Sequence, residues 1–447
     1  MSKPQDIRSG RLTVAEIAEN FTDIRPPLKR SEALIESDRC YFCFDAPCTT
    51  ACPTDIDIPG FIQQIRSDNV RGSARTILRE NIMGGMCARV CPTEVLCEEA
   101  CVRNTHEDQP VRIGLLQRYA TDPVLDAGSQ LFDRAPDSGK QIAVVGGGPA
   151  ALSCAHRLAV LGHRVTIYSR DEKLGGLNEF GIAAYKTVND FAQREVDYIL
   201  AVGGIDVKTG HELGANLSVD ELRKNYDAVF LGIGLGGVNR LGLANEDLDG
   251  VLNAVDYIAE LRQADDKSSL PVGNRIVVIG GGMTAVDIAV QSKRLGADRV
   301  DIVYRRGPEQ MGASGHEQEL AQTSGVSIRH WSTPVAIEGD GSVERVVFER
   351  TARTEDGALA GTGETWSAEA DVVFKAVGQT MADGLSDAGL GGLRLQRGKI
   401  ATDGNGRTSV DDVWAGGDCI DHDEDLTVTA VQDGKIAAID IDRALRG

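Results

Sequence analysis

The pattern of apolar and polar positions changes twice along the chain. Between Ile58 and Asn81, the residues Phe61, Ile62, Ile65, Ile77 and Leu78 fall at helical spacing, which predicts a helix able to bring its flanking segments together. Asp122 to Gly139 is polar and contains Pro and Gly, so it reads as a linker, and a new domain starts near Lys140. There Gln141 to Val145 is a short buried strand, followed by a glycine turn, a helix through Leu161 and a strand from Arg164 to Tyr168. The same order returns with the strand Arg275 to Ile279, a glycine turn, a helix to Leu295 and the strand Val300 to Tyr304, and the two turns start 134 residues apart. A short strand over Asp411 to Trp414 and a terminal helix from Thr427 complete the pattern.

Composition narrows the classes. A chain of 447 residues has room for two to four domains, and 42% hydrophobic residues suffice for ordinary cores. Lys and Arg number 47 against 67 Asp and Glu, leaving −20, which repels nucleic-acid phosphates and anionic lipid surfaces. Neither nucleic acid nor membrane is an expected partner. No 18 apolar residues run together and Met1 to Asn20 is polar, so neither a spanning helix nor an export signal is expected, and the expected location is the cytoplasm. The 51 glycines, with only 5% aromatics, suit α/β domains whose tight turns approach a cofactor closely.

The ten cysteines are clustered, with eight between Cys40 and Cys101. Disulfides would need an oxidising compartment, and structural zinc favours paired CxxC knuckles rather than runs of four. The first run, Cys40-x2-Cys43-x4-Cys48-x3-Cys52-Pro53, is close in kind to ferredoxin runs whose last cysteine serves a different cluster from the first three. The second run is Cys87-x3-Cys91-Pro92, then Cys97-x3-Cys101. Two four-ligand clusters are therefore expected in a helical module.

Each glycine turn carries its own chemistry. In Gly146-Gly-Gly148-Pro149-Ala150-Ala151 the first glycine allows the tight turn, Gly148 lets the backbone approach a pyrophosphate, and Ala151 keeps helix and strand close. Gly280-Gly281-Gly282-Met283-Thr284-Ala285 repeats the arrangement. Two such domains in one chain fit a reductase holding FAD on one and NAD(P)H on the other. The residue after the second strand, where an acid would bond a ribose 2′-OH, is Ser169 in the first copy. In the second it is Arg305-Arg306, which suits a 2′-phosphate and equally a solvated basic turn. Near the C-terminus, Gly416-Gly417-Asp418 can place Asp418 against a flavin's ribityl chain.

Together these parts resemble the FAD-, NAD(P)- and cluster-containing half of dihydropyrimidine dehydrogenase, a relative of the glutamate synthase small subunit, from about Arg30 to the C-terminus. Leu174-Gly-Gly-Leu177, Phe230-Leu-Gly-Ile-Gly234, Ala376-Val-Gly378 and Gly416-Gly-Asp418 stand where that family has nucleotide contacts. The resemblance implies an α/β fold with an N-terminal all-α Fe–S module over 1–125. It also implies two Rossmann-like domains, FAD-binding over 126–250 and 378–447, with an NAD(P)-binding domain over 251–377 inserted in the first. Cofactor contacts are implied at Gly146, Gly148, Pro149, Ala150, Ala151, Ser169, Gly176, Leu177, Lys186, Gly417, Asp418 and Thr427, and at Gly280, Gly281, Gly282, Met283, Thr284, Arg305, Arg306, Ala376, Val377 and Gly378. One [4Fe–4S] cluster would take Cys40, Cys43, Cys48 and Cys101; the other would take Cys52, Cys91, Cys97 and the amide of Gln117, leaving Cys87 over. Ser169 stands where the family usually has glutamate, Met283 where aspartate is common, and Gly312 where an arginine helps hold a 2′-phosphate.

The implied activity is electron transfer from NAD(P)H through FAD to two clusters. No Ser/His/Asp or Cys/His constellation is legible, so no side chain is assigned as catalyst. No length remains for a roughly 250-residue barrel that could hold a second flavin and a pyrimidine. The resemblance therefore implies a hetero-oligomer with an FMN-containing pyrimidine-reducing subunit, acting on uracil or thymine. A glutamate synthase small subunit, with glutamate expected at the Gln117 position, and an NADH–ferredoxin reductase are the other readings.

Overall fold

The computed structural model describes residues 12–128, 130–382, 385, 390–422 and 424–447. The opening residues on which the reading of Met1 to Asn20 partly rests, 1–11, lie outside them. The chain forms two compact units, one of Arg25–Glu179, Asn189–Gly237 and Thr380–Gly447, the other of the residues up to Ile24 with Phe180–Val188 and Val238–Gln379. In sequence, the main part of the second unit is an insertion into the first.

The first unit contains a five-stranded parallel sheet in the order Val413–Ala415, Ala228–Leu231, Gln141–Val145, Arg164–Tyr168 and Ile205–Lys208. Its central strands are apolar on both faces, as sheets covered on both sides require, and Ile142, Val144, Phe230 and Trp414 are buried among them. Helices Pro149–Val160 and Thr427–Arg446 pack against each other, with Ser153 Oγ donating to Val431 O at 2.7 Å. Gly434 permits this contact, because a Cβ there would lie 2.1 Å from the Ala150 carbonyl.

The cysteine-bearing segments belong to the same unit. The helix expected over Ile58 to Asn81 is two helices, Ile58–Arg66 and Val70–Glu80. Asp68 takes a left-handed φ of 62°, and Asn69 caps the second helix by accepting from Gly72 N at 3.0 Å. Phe61, Ile62, Ile65 and Ile77 still share one core with Ile56, Val111, Leu116 and Ala120, while Leu78 packs into the core of the parallel sheet. The expected linker is also shorter, because the helix Ile113–Asp126 runs past Asp122. Pro123 removes one helical hydrogen bond, but burial of Val124 and Leu125, each contributing about 1.5–3 kcal/mol, outweighs that loss.

The second unit repeats the plan with a parallel sheet of Val251–Asn253, Val372–Ala376, Arg275–Gly280, Arg299–Val303 and Ser327–Arg329. One face is covered by an antiparallel sheet of Ser332–Asp340, Ser342–Arg353 and Leu359–Glu369, whose Val346, Phe348 and Ala368 bury Val277, Ile279 and Val303. A short helix, Val14–Asn20, closed by a Thr13–Glu16 capping box, adds Ile17 and Phe21 to this unit's other core. Among the described residues no helix is long and apolar enough to cross a membrane.

Candidate cofactor sites

Folding sorts the cluster-module thiols into two groups. Cys40 is pushed up chiefly by burial and also by Cys43 and Cys101; Cys48 is pushed up to about 12, first by burial and then by Cys40, Cys101 and Cys43. Cys40, Cys43, Cys48 and Cys101 thus face one another. Cys91 is raised by a hydrogen bond with Cys87, then by burial, Cys87, Cys97 and Cys52; Cys97 is raised chiefly by burial, with Glu98, Cys52 and Cys48 adding. Thiols so crowded and desolvated resist ionisation unless positive charge is placed among them, as iron would do.

Gln117 is buried on the helix Ile113–Asp126, and its Nε2 donates to Gly84 O at 2.7 Å, which leaves the carbonyl oxygen as the available ligand atom. Cys87, on helix Gly84–Val90, lies against Cys91 at that helix's C-cap, so the thiol left over by the expected ligand set is itself in the second group.

Three backbones converge on the N-terminus of helix Pro149–Val160. Gly146 has a φ of 113°, and a Cβ there would lie 2.1 Å from Gly232 O, so only glycine closes the turn. A Cβ on Gly176 would lie 2.7 Å from Gly148 Cα, and one on Gly417 would lie 2.9 Å from Ala150 Cβ. Such a side-chain-free cradle, at a helix end whose N–H groups have no helical partner, fits a pyrophosphate. Ser169 is buried at the end of its strand, and Leu177 begins a helical turn at the cradle's edge. Thr427, at the first turn of the terminal helix, donates from Oγ1 to Asn178 Oδ1 at 2.8 Å. Burial, with Asp425 adding, pushes Asp418 up to about 6, while His422 opposes the shift. Asp433 accepts from Gly417 N at 2.9 Å and so fixes the loop that presents Asp418.

The second turn is built alike. A Cβ on Gly280 would lie 2.1 Å from Ala376 O, as one on Gly146 would from Gly232 O. Helix Met283–Arg294 starts directly after Gly282, a Cβ on which would meet no atom within 4 Å. Thr284 is in its first turn, and Ala376 ends the adjacent strand with Val377 and Gly378 following it, Asn239 N donating to Gly378 O at 3.1 Å. Arg305 and Arg306 are exposed beyond the strand Arg299–Val303, and Thr351 Oγ1 donates to Arg305 O at 2.7 Å, which fixes the backbone while leaving the guanidinium outward.

Lys186 is placed differently from the other expected contacts. Its ammonium is buried between Asp287 and Glu317, at 2.8 Å from each, and their charges hold its pKa up against burial. Asp287 also accepts from Ala183 N at 3.2 Å, so the segment Phe180–Val188 is tied to helix Met283–Arg294. Neither carboxylate was legible as a partner, since each stands about a hundred residues or more from Lys186 in an ordinary amphipathic helix.

The comparisons with known proteins follow the same division. Residues 17–129 match the family model described as dihydropyrimidine dehydrogenase domain II, 4Fe-4S cluster, and residues 140–434 match pyridine nucleotide-disulphide oxidoreductase. The NAD-dependent dihydropyrimidine dehydrogenase subunit PreT of Escherichia coli K12 is 34% identical over 96% of this chain and 98% of its own. The glutamate synthase [NADPH] small chain of the same organism is 32% identical over 94% and 92%. Among solved structures, Mycobacterium tuberculosis FprA in complex with NADPH shares the fold at a TM-score of 0.59 and 22% identity, covering 70% of this chain and 85% of that one. The thioredoxin reductase of T. acidophilum does so at 0.53 and 21%, covering 69% and 100%.

Proposed function

Because the chain belongs to the family of PreT dihydropyrimidine dehydrogenase subunits and glutamate synthase small chains, we propose that it is the electron-input subunit of a dihydropyrimidine dehydrogenase. It is an NAD(P)-dependent oxidoreductase, and its cofactors are FAD, NAD(P)H and [4Fe–4S] clusters. The proposed partner is an FMN-containing subunit that reduces uracil or thymine to the 5,6-dihydro form. The observation that carries this reading is the presence, in one chain, of two glycine-turn sites and two thiol groups.

Bound FAD supplies the conversion of a two-electron hydride into single electrons. The chain's residues hold and orient. Gly146 to Ala151 and the N-terminus of helix Pro149–Val160 would take the FAD pyrophosphate, with Asp418 toward the ribityl chain. Gly280 to Thr284 would take the NAD(P)H pyrophosphate, and Arg305 and Arg306 a 2′-phosphate. Cys40, Cys43, Cys48 and Cys101 would ligate one cluster, and Cys52, Cys91, Cys97 and Gln117 the other. An amide leaves one less negative charge than a thiolate, so the second cluster would differ in potential from the first.

Gln117 favours the pyrimidine reading over the glutamate synthase one, for which glutamate is expected at that position. Purification of the tagged chain from its native cell tests the proposal. A co-purifying chain that carries FMN and reduces uracil supports it; a co-purifying glutamate synthase large subunit replaces it.

A further inference from the structure

We propose that Glu195 takes up a proton when the second cluster site is reduced, through the helix Gly84–Val90 to which both the carboxyl and that site are attached. The inference rests on assigning Cys91 and Gln117 to the second cluster. Glu195 lies on helix Phe191–Leu200, at the flavin-binding sheet, yet its Oε1 accepts from Gly85 N at 2.9 Å and Met86 N at 3.0 Å. These are N–H groups of the first helical turn, which have no helical partner. The Gly84 carbonyl at the same turn receives the Gln117 amide at 2.7 Å, and the other end of the helix is Cys91. Ligands of the second site are thus held at both ends of one short helix, and Glu195 caps its beginning.

The contact is built for this carboxyl. A Cβ on Gly85 would lie 2.9 Å from Glu195 Oε1 and 2.6 Å from both Phe191 Cζ and Leu125 Cδ1. Glu195 is fully buried, and its Oε2 has no hydrogen-bond partner. Of the charged groups facing it, Arg89 on helix Gly84–Val90 makes a two-pronged pair with Asp122 on helix Ile113–Asp126, at 2.9 Å for each bond, and Arg118 also bonds Asp122 at 3.1 Å. Helix Pro149–Val160 also packs against helix Phe191–Leu200, and burial keeps its Cys154 and His156 neutral. Asp122 therefore has two cations directed at it, while Glu195 shares Arg89 at longer range. Burial pushes Glu195 up to about 8 even against Arg89 and its two N–H donors. A carboxyl so poised near neutrality responds to a new negative charge nearby by binding a proton.

The step balances as one electron added at the cluster site and one proton, from solvent, forming an O–H bond on Glu195; no other bond changes. By linkage, the reduction equilibrium of that site falls as pH rises through the window in which Glu195 titrates. Glu195 is a positioning residue, since it touches the helix and not the cluster.

Potentiometric titration of the full, iron-loaded chain, followed by EPR between about pH 6 and 10, tests the linkage. In the wild type one cluster's reduction equilibrium should fall by up to tenfold per pH unit, or 59 mV for one electron. Glu195→Gln keeps the acceptor oxygen and cannot ionise, so its titration should be flat over the same range. Glu195→Asp should retain a slope with a displaced onset, and it decides the matter if the glutamine variant loses iron. A flat wild type, a slope that persists in Glu195→Gln, or an unmoved onset in Glu195→Asp overturns the inference. The ligand assignment fails separately, if Gln117→Ala leaves both cluster spectra unchanged.

Discussion

Replacing Gly282 by alanine separates binding from folding at the second glycine turn. Its φ of −91° and ψ of 179° are open to alanine, and no atom lies within 4 Å of the new Cβ. Alanine is a poorer N-cap than glycine but restricts the unfolded chain, effects of about 0.4–1 kcal/mol and opposite sign, so the net change in stability is close to zero. The added methyl occupies the space through which a pyrophosphate would approach the helix N–H groups. Loss of one charge-assisted hydrogen bond there costs about 1.5–3 kcal/mol, which raises KM for NAD(P)H roughly 10- to 150-fold. Thermal unfolding and steady-state NAD(P)H oxidation with ferricyanide measure the two effects. Unchanged KM at unchanged melting temperature would refute the placement of the dinucleotide. The neighbouring Gly280→Ala makes the contrast: with a φ of 147° and a Cβ 2.1 Å from Ala376 O, it should impair folding itself.

Three further outcomes are expected. If Arg305 reads a 2′-phosphate, Arg305→Ala lowers kcat/KM for NADPH by roughly 10- to 150-fold and leaves NADH nearly unchanged, and equal effects on both exclude that role. Iron near eight per chain is expected anaerobically, from two clusters of four; Gln117→Ala should disturb only the second cluster's EPR signal, and Cys87→Ser should retain both. Arg89→Met removes the bidentate bonds to Asp122 and a guanidinium lying 3.4 Å over the Phe191 ring, but Arg118 still bonds Asp122 at 3.1 Å, so thermal or urea unfolding should show a loss of about 1.5–3 kcal/mol.

The elements legible in the sequence were those written as continuous local patterns. Gln141–Val145 and Arg164–Tyr168 fell where their apolar runs end, and the repeat of strand, glycine turn and helix held in the second unit. The break at Asp68 was missed because apolar spacing resumes in phase after it, although Ser67-Asp68-Asn69 is itself a turn-and-cap sequence. Glu195 and the Lys186–Asp287–Glu317 cluster had no local signature, since their partners are distant in sequence and meet only when helices pack. Cysteine spacing suggested two clusters, but it could not place Cys87, whose position against Cys91 depends on one turn of helix Gly84–Val90.

Uracil reduction, measured with the homogeneous chain alone and then with the proposed FMN-containing partner, addresses the division of labour most directly. Alone, the chain should oxidise NAD(P)H with artificial acceptors and leave uracil and thymine untouched. With the partner, NAD(P)H-dependent dihydrouracil formation should appear, and Cys91→Ser or Cys97→Ser should abolish it while sparing ferricyanide reduction. Dihydrouracil formed by the isolated chain, or undiminished by those substitutions, would contradict the proposed route.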